Sequence, residues 1–223
     1  MTEPRVPEAL LDSVRRDLRP VQPLWRPAVR ALIALPVGVA LIAGMPLLWG
    51  FRNNISALPL WASWGLSGLE GLAGLLIVGI ALAEAVPGRL LSARVLAPTL
   101  ALGAALPLAI AFATNWVLTA PEPPGVAVRY AWECFDMITA FAVPAVAVPA
   151  WLASRLWSER PALTGALYGL GTGVMADGGA RLFCWVSSPR HVLIAHGGAI
   201  VAVTLLAAGA SVLVDRARAR RVS

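Results

Sequence analysis

The sequence predicts an all-α polytopic membrane protein with six transmembrane helices and both termini in the cytoplasm. Three observations carry this. Only 13% of the 223 residues are charged and 58% are hydrophobic, with a mean hydropathy of +0.74. A soluble domain carries about 25% charged residues, so a water-facing surface cannot be covered and a soluble enzyme is excluded. The apolar residues gather in six runs, each suited to a hydrocarbon core of about 30 Å. The charges gather between those runs. The net charge of +6 comes wholly from arginine, and its placement in short loops argues against a nucleic-acid-binding face.

The first element is a tail. Acidic and basic residues alternate from Glu3 to Arg30, without the apolar core of a signal peptide. Within it, Pro7 to Arg19 reads as a short amphipathic helix, since Leu10, Leu11, Val14, Leu18 and Val21 fall at helical spacing. Pro20 ends it. A helix this short is not stable alone, so its apolar stripe needs a surface. That surface is either lipid, favoured by the arginines, or a protein groove that accepts an amphipathic helix. Residues 1–30 are therefore read as a cytoplasmic tail, 31–214 as the transmembrane domain and 215–223 as a basic cytoplasmic C-terminal tail.

The six spans follow in order. The first runs from Ala31 to Phe51, the second from about Leu60 to Val86 and the third from about Val95 to Leu118. The fourth runs from about Phe135 to Ala153, the fifth from Pro161 to near Gly179 and the sixth from about Leu193 to Val214. Fourteen arginines fall in the two tails and in the loops after spans two and four, against four on the opposite side (Arg52, Arg129, Arg181 and Arg190). The positive-inside rule then puts both termini in the cytoplasm. Trp49, Trp61, Trp64, Trp116, Trp132 and Trp185 lie near the far span ends, as an interfacial aromatic belt does. Pro36, Pro46, Pro98, Pro107, Pro144 and Pro149 are expected to kink spans.

Three carboxylates fall within spans, where they are costly. Glu84 lies one turn from a cytoplasmic end, and the expectation is that it snorkels beside Arg89. Glu70 lies either near the outer surface or deeper, depending on where span two begins. Asp177 continues a row of Gly165, Gly169 and Gly173 in span five. Small residues at this spacing let helices approach closely in lipid, and the expected seam is with span four. Glu70, Glu84 and Asp177 also define the alternative function, a small six-helix transporter or channel that couples through intramembrane carboxylates.

The only two cysteines are Cys134, at the start of span four, and Cys184, at the end of span five. Antiparallel spans bring both to the outer side, which in a Gram-negative cell is the oxidising periplasm. Glu133 and Asp136 flank Cys134 and favour a bound cation. Arg181 precedes Cys184 by three residues, within reach if the helix continues. A disulfide would close a loop of about 50 residues and contribute up to roughly 4 kcal/mol by the chain-entropy model. The competing use is a metal site: Cys134 and Cys184 as ligands, with His191 and His196 nearby. Those histidines are five residues apart, which does not stack them on one α-helical face. No CxxC, HExxH, phosphate-binding loop or nucleophile elbow occurs, so no enzyme and no cofactor are expected.

These pieces resemble the NrsF-type membrane anti-sigma factors (negative regulators of sigma F), six-span inner-membrane proteins of proteobacteria. The resemblance covers most of the chain. It rests on Arg16-Asp17-Leu18-Arg19-Pro20-Val21 before span one, Pro87-Gly88-Arg89 after span two, the Cys134 region, the glycine row of span five, and Cys184. It implies a multi-pass protein of the bacterial inner membrane that holds an extracytoplasmic-function sigma factor inactive, with no direct contact to nucleic acid. The partner-binding residues are then Leu11, Val14, Leu18, Arg19, Pro20 and Val21. It also implies that Cys134 and Cys184 sense metal or oxidative stress and trigger release. Where the family often carries a histidine before the second cysteine, this chain has Phe183, and the segment after it reads Trp185-Val186-Ser187-Ser188.

Overall fold

The computed structural model describes residues 7–17, 25–118, 125–154 and 156–221, and every regular element among them is helical. The tail helix α1 (Glu8–Asp17) leaves its apolar stripe in the open, with Leu10, Leu11 and Val14 all exposed. Leu18, Arg19, Pro20 and Val21, expected to continue that stripe, lie outside the described residues.

The stretch expected as the first span is α2 (Pro27–Ile33) followed by α3 (Leu35–Trp49). The break at Ala34 has a local cause: Pro36 has no N–H to donate to the Leu32 carbonyl. Gly50, at φ 91°, closes α3 in a conformation that a side chain would strain. A π-helical turn (Trp61–Gly65) leads into α4 (Leu66–Glu84), and α5 (Ala93–Val117) contains Pro98 and Pro107. The short α6 (Val126–Arg129) precedes α7 (Ala131–Ala145) and α8 (Ala147–Leu152). Their break at Val146 falls where Pro149 cannot donate to the Ala145 carbonyl. Last come α9 (Pro161–Phe183), α10 (Pro189–His191), a second π-helical turn (Val192–Gly197) and α11 (Gly198–Ala219).

Among the described residues, five helical stretches are long and apolar enough to cross a membrane: Pro27–Trp49, Trp61–Glu84, Ala93–Val117, Val126–Leu152 and Pro189–Ala219. The stretch expected as span five is α9. It is 23 residues long, but glycines, threonines and Asp177 dilute its apolar character. Its position explains this composition. α9 packs against α11, α4, α3 and α7, and every residue from Leu167 to Ala180 is buried. A helix walled in by other helices needs small residues for close approach more than it needs apolar bulk. The outer helices instead present leucine and tryptophan to their surroundings, with Leu47 74% and Trp116 86% exposed. An apolar exterior of this extent is compatible with lipid.

The glycine row makes its close contacts with α11, not with span four as the sequence suggested. A Cβ on Gly169 would meet the Val203 carbonyl at 2.6 Å and Thr204 Cα at 2.7 Å. Gly165 similarly abuts Ala207 and Ser211, and Gly173 abuts Ile200. A 100° step per residue puts 165, 169 and 173 on one face, but which neighbour that face meets is decided by the tertiary arrangement.

The end of the bundle where α9 begins is tied by charge. Glu84 is buried and takes Arg160 at 2.5 Å and the Leu91 N–H at 2.8 Å. It therefore does not snorkel beside Arg89, because a cation from the loop before α9 reaches it first. Gly88, at φ 75°, donates its N–H to Glu159 at 2.6 Å, and Arg160 also donates to the Leu91 carbonyl. The loops after α4 and before α9 are thus clasped together. Arg30 is buried beside them and donates to the Leu82 carbonyl at 3.1 Å, placing a cation at the C-terminal end of α4 where the helix dipole favours it.

Candidate functional site

At the opposite end, α7 begins, α9 ends and α11 begins, and these three termini bring four donor residues together. Cys134 lies in the first turn of α7. Cys184 follows the last residue of α9, in extended backbone. His191 immediately precedes the π-helical turn that opens α11, and His196 lies within it. One donor atom from each of Cys134, Cys184, His191 and His196 lies within 4.8 Å of the other three. All four residues are closed off from solvent, at 4%, 4%, 0% and 1% exposure in that order.

The two thiols are free and 3.1 Å apart. Cys184 Sγ also lies 3.3 Å from His191 Nε2. The far side of each imidazole is held by an acceptor. His191 Nδ1 is 2.9 Å from the Ala127 carbonyl, and His196 Nδ1 is 2.5 Å from Asp177 Oδ1. A carbonyl can only accept, so His191 carries its proton on Nδ1 and turns the Nε2 lone pair toward Cys184. His196 Nε2 is buried without a hydrogen-bond partner.

The π-helical turn explains why helical spacing counted against this pair. In an α-helix, residues five apart diverge around the axis. A turn with i→i+5 bonding stacks them instead, and the two imidazole rings lie 5.4 Å apart, edge to face. The spacing that counted against His191 and His196 as partners is the spacing that this turn requires. No α-periodicity argument could have found them.

Behind the thiols and imidazoles runs a buried ionic chain. Asp177 accepts from Arg181 at 3.1 Å, and Arg181 Nε meets Glu70 at 2.8 and 2.9 Å. Arg181 Nη2 adds the Pro107 carbonyl at 2.7 Å. Glu70 is therefore fully buried and paired. Arg181, expected to face Cys184, is engaged by the two carboxylates because α9 ends at Phe183 and the chain turns away. Glu133 and Asp136 are exposed, whereas the Cys134 thiol between them is buried.

A second arginine fixes the strand of chain carrying Cys184. Arg52 is buried and donates to the Arg181 and Trp185 carbonyls and to Ser187 Oγ, at 3.3, 3.0 and 2.8 Å. The sequence showed Arg52 only as one of the four far-side arginines. Nothing in its neighbourhood marks it as a clamp.

A family model described as "Negative regulator of sigma F" (NrsF) matches residues 15–215. The chain belongs to the NrsF family. This NrsF protein is thus placed among negative regulators of a sigma factor, and the match runs from the end of α1 through the four-residue cluster to the end of the membrane-compatible helices. No curated protein and no solved structure matches the chain.

Chemically, the cluster offers two sulfur and two nitrogen donors in a space closed to bulk water. Paired thiols can be oxidised together, and thiolate with imidazole suits soft and borderline ions rather than magnesium or calcium. Asp177 and the Ala127 carbonyl stand where the outer partners of metal-bound histidines ordinarily stand.

Proposed function

We propose that this protein is a membrane-bound anti-sigma factor of the bacterial inner membrane that sequesters an extracytoplasmic-function sigma factor. Six helices, α9 included, cross the bilayer, and both termini are cytoplasmic. The four-residue cluster then lies at the periplasmic end and α1 at the cytoplasmic one. The observation that carries the reading is the family match over residues 15–215, which takes in the last residues of α1 and the membrane-compatible body; the exposed stripe of Leu10, Leu11 and Val14 lies just ahead of it.

Leu11, Val14, Leu18, Arg19, Pro20 and Val21 dock on the sigma factor and cover its polymerase-binding surface, and the link to α2 keeps the complex at the membrane. Release follows a change at Cys134 and Cys184. Either a two-electron oxidant such as a peroxide takes two electrons and two protons from the thiols and leaves a disulfide, or a thiophilic cation is captured between them. Such a signal acts only if it favours one arrangement of the cytoplasmic end over another. The glycine contact of α9 with α11 supplies a path along which one helix can slide on another.

The transporter reading loses its support from the geometry. Its three carboxylates are each paired to arginine: Glu70 and Asp177 to Arg181, and Glu84 to Arg160. A sigma-dependent reporter in cells separates the two. Removal of residues 1–23 should turn the reporter on without stress, whereas a transporter would leave it unchanged and lose transport on Glu70→Gln.

A further inference from the structure

We infer that Cys134, Cys184, His191 and His196 form a single four-coordinate site for a divalent cation of the zinc class, with both histidines as ligands through Nε2. The inference deepens the sensing reading above, on which only its regulatory consequence rests. Three independent features point to a ligand rather than to packing. First, four donor atoms from three different helix ends converge within 4.8 Å. Bonds of 2.0–2.3 Å around a tetrahedral zinc put neighbouring ligands about 3.3–3.8 Å apart. The sulfur–nitrogen pair at 3.3 Å is near that spacing, and the sulfur pair at 3.1 Å reaches it by side-chain rotations that part the two sulfurs by less than about 1 Å.

Second, His196 Nε2 is a fully buried nitrogen with no hydrogen-bond partner, at a residue 1% exposed. An unpaired buried polar group costs about 1–3 kcal/mol. A cation relieves that cost at the atom concerned, while Nδ1 stays bonded to Asp177. Third, both imidazoles are already oriented from behind, by Asp177 at 2.5 Å and by the Ala127 carbonyl at 2.9 Å. A carboxylate or carbonyl on the distal nitrogen fixes the tautomer and ring direction of a metal-bound histidine. The π-helical turn Val192–Gly197 that stacks the two rings is otherwise an unfavourable departure from α geometry, of the kind that persists at functional sites.

Binding is a balanced exchange. The hydrated cation sheds its bound waters, each thiol gives up one proton to solvent, and two metal–sulfur and two metal–nitrogen bonds replace the metal–water bonds. Because the same sulfurs are used, cation capture and disulfide formation exclude each other. A bound cation also ties α7 and α11 to the segment after α9, and through Asp177 and Arg181 to Glu70 on α4.

The test is a titration of the reduced, full-length, detergent-solubilised protein with cobalt(II) alone, under anaerobic conditions. One equivalent should bind and give the intense visible bands of tetrahedral cobalt with a sulfur charge-transfer band, and zinc should displace it. X-ray absorption of the zinc-loaded, unmutated protein should return two sulfur and two nitrogen neighbours, which keeps the test independent of whether variants fold. His191→Ala and His196→Ala should each shift the cobalt bands and weaken binding. No tetrahedral spectrum, a first shell without nitrogen, or spectra unchanged in both histidine variants would overturn the site. Sigma-factor retention is read on the same preparation before cobalt is added: no retained sigma factor with cobalt binding intact refutes the anti-sigma reading alone, and a retained sigma factor without cobalt binding refutes the metal site alone.

Discussion

Arg181 donates to Glu70 and Asp177 from a side chain only 9% exposed, and both carboxylates are fully buried. Taking one partner from such a group leaves uncompensated charge, which costs about 3–5 kcal/mol. Arg181→Met should therefore lower the thermal unfolding midpoint in detergent by many degrees, while Glu133→Ala, at an exposed position, should leave it in place; equal midpoints would contradict the buried chain. Asp177 has a second duty behind His196. Asp177→Asn should weaken cobalt binding by about 10- to 100-fold, and unaltered affinity would remove Asp177 from the site. At this scale the sequence was partly legible. Cys134 and Cys184 stand out as the only thiols, and topology alone puts them at one end. The roles of Arg181, Asp177 and Arg52 were hidden, because each is set by a partner 19 to 135 residues away in the chain.

α9 and α11 approach closely along Gly165, Gly169 and Gly173, which lie against backbone atoms of Ala207, Val203, Thr204 and Ile200 and against the Ser211 side chain. A larger side chain here must push two helices apart. Gly169→Leu should cost at least about 1–3 kcal/mol by overpacking, whereas Gly209→Leu, which faces open space, should stay within about 0.5 kcal/mol of the parent. Unfolding in detergent measures both, and equal stability of the two variants would contradict a tight seam. The row itself was plain in the sequence, since its period matches the helix, but its partner was not. The same limit applied at the other end of α11. His191 and His196 are invisible to a 3.6-residue period and obvious to the π-helical turn that holds them. Of the six prolines expected to kink spans, Pro36 and Pro149 accompany the breaks at Ala34 and Val146, whereas α3 continues through Pro46 and α5 through Pro98 and Pro107.

The molecule as a whole has two polar layers separated by an apolar middle. One joins Glu84, Arg160 and Arg30; the other holds the thiols, the imidazoles and the Glu70–Arg181–Asp177 chain. α9 runs from one layer to the other, so a change at Cys184 has a continuous packed element through which to reach the far end. The required size can be stated. Moving a two-state equilibrium from 1:99 to 99:1 takes about 5.5 kcal/mol, more than the roughly 4 kcal/mol upper figure for a disulfide closing this loop. A disulfide alone should thus release only part of the sigma factor. In cells, Cys134→Ser combined with Cys184→Ser should keep a sigma-dependent reporter off under oxidant or metal stress; induction equal to the parent's would separate the cysteines from the signal. Whether α1 is a sigma-docking helix decides the account. The full-length protein and one lacking residues 1–23, both solubilised reduced from unstressed cells, should be isolated and their partners identified by mass spectrometry. A sigma factor retained by the full chain and lost on truncation is the predicted result; its absence from both samples would contradict the account.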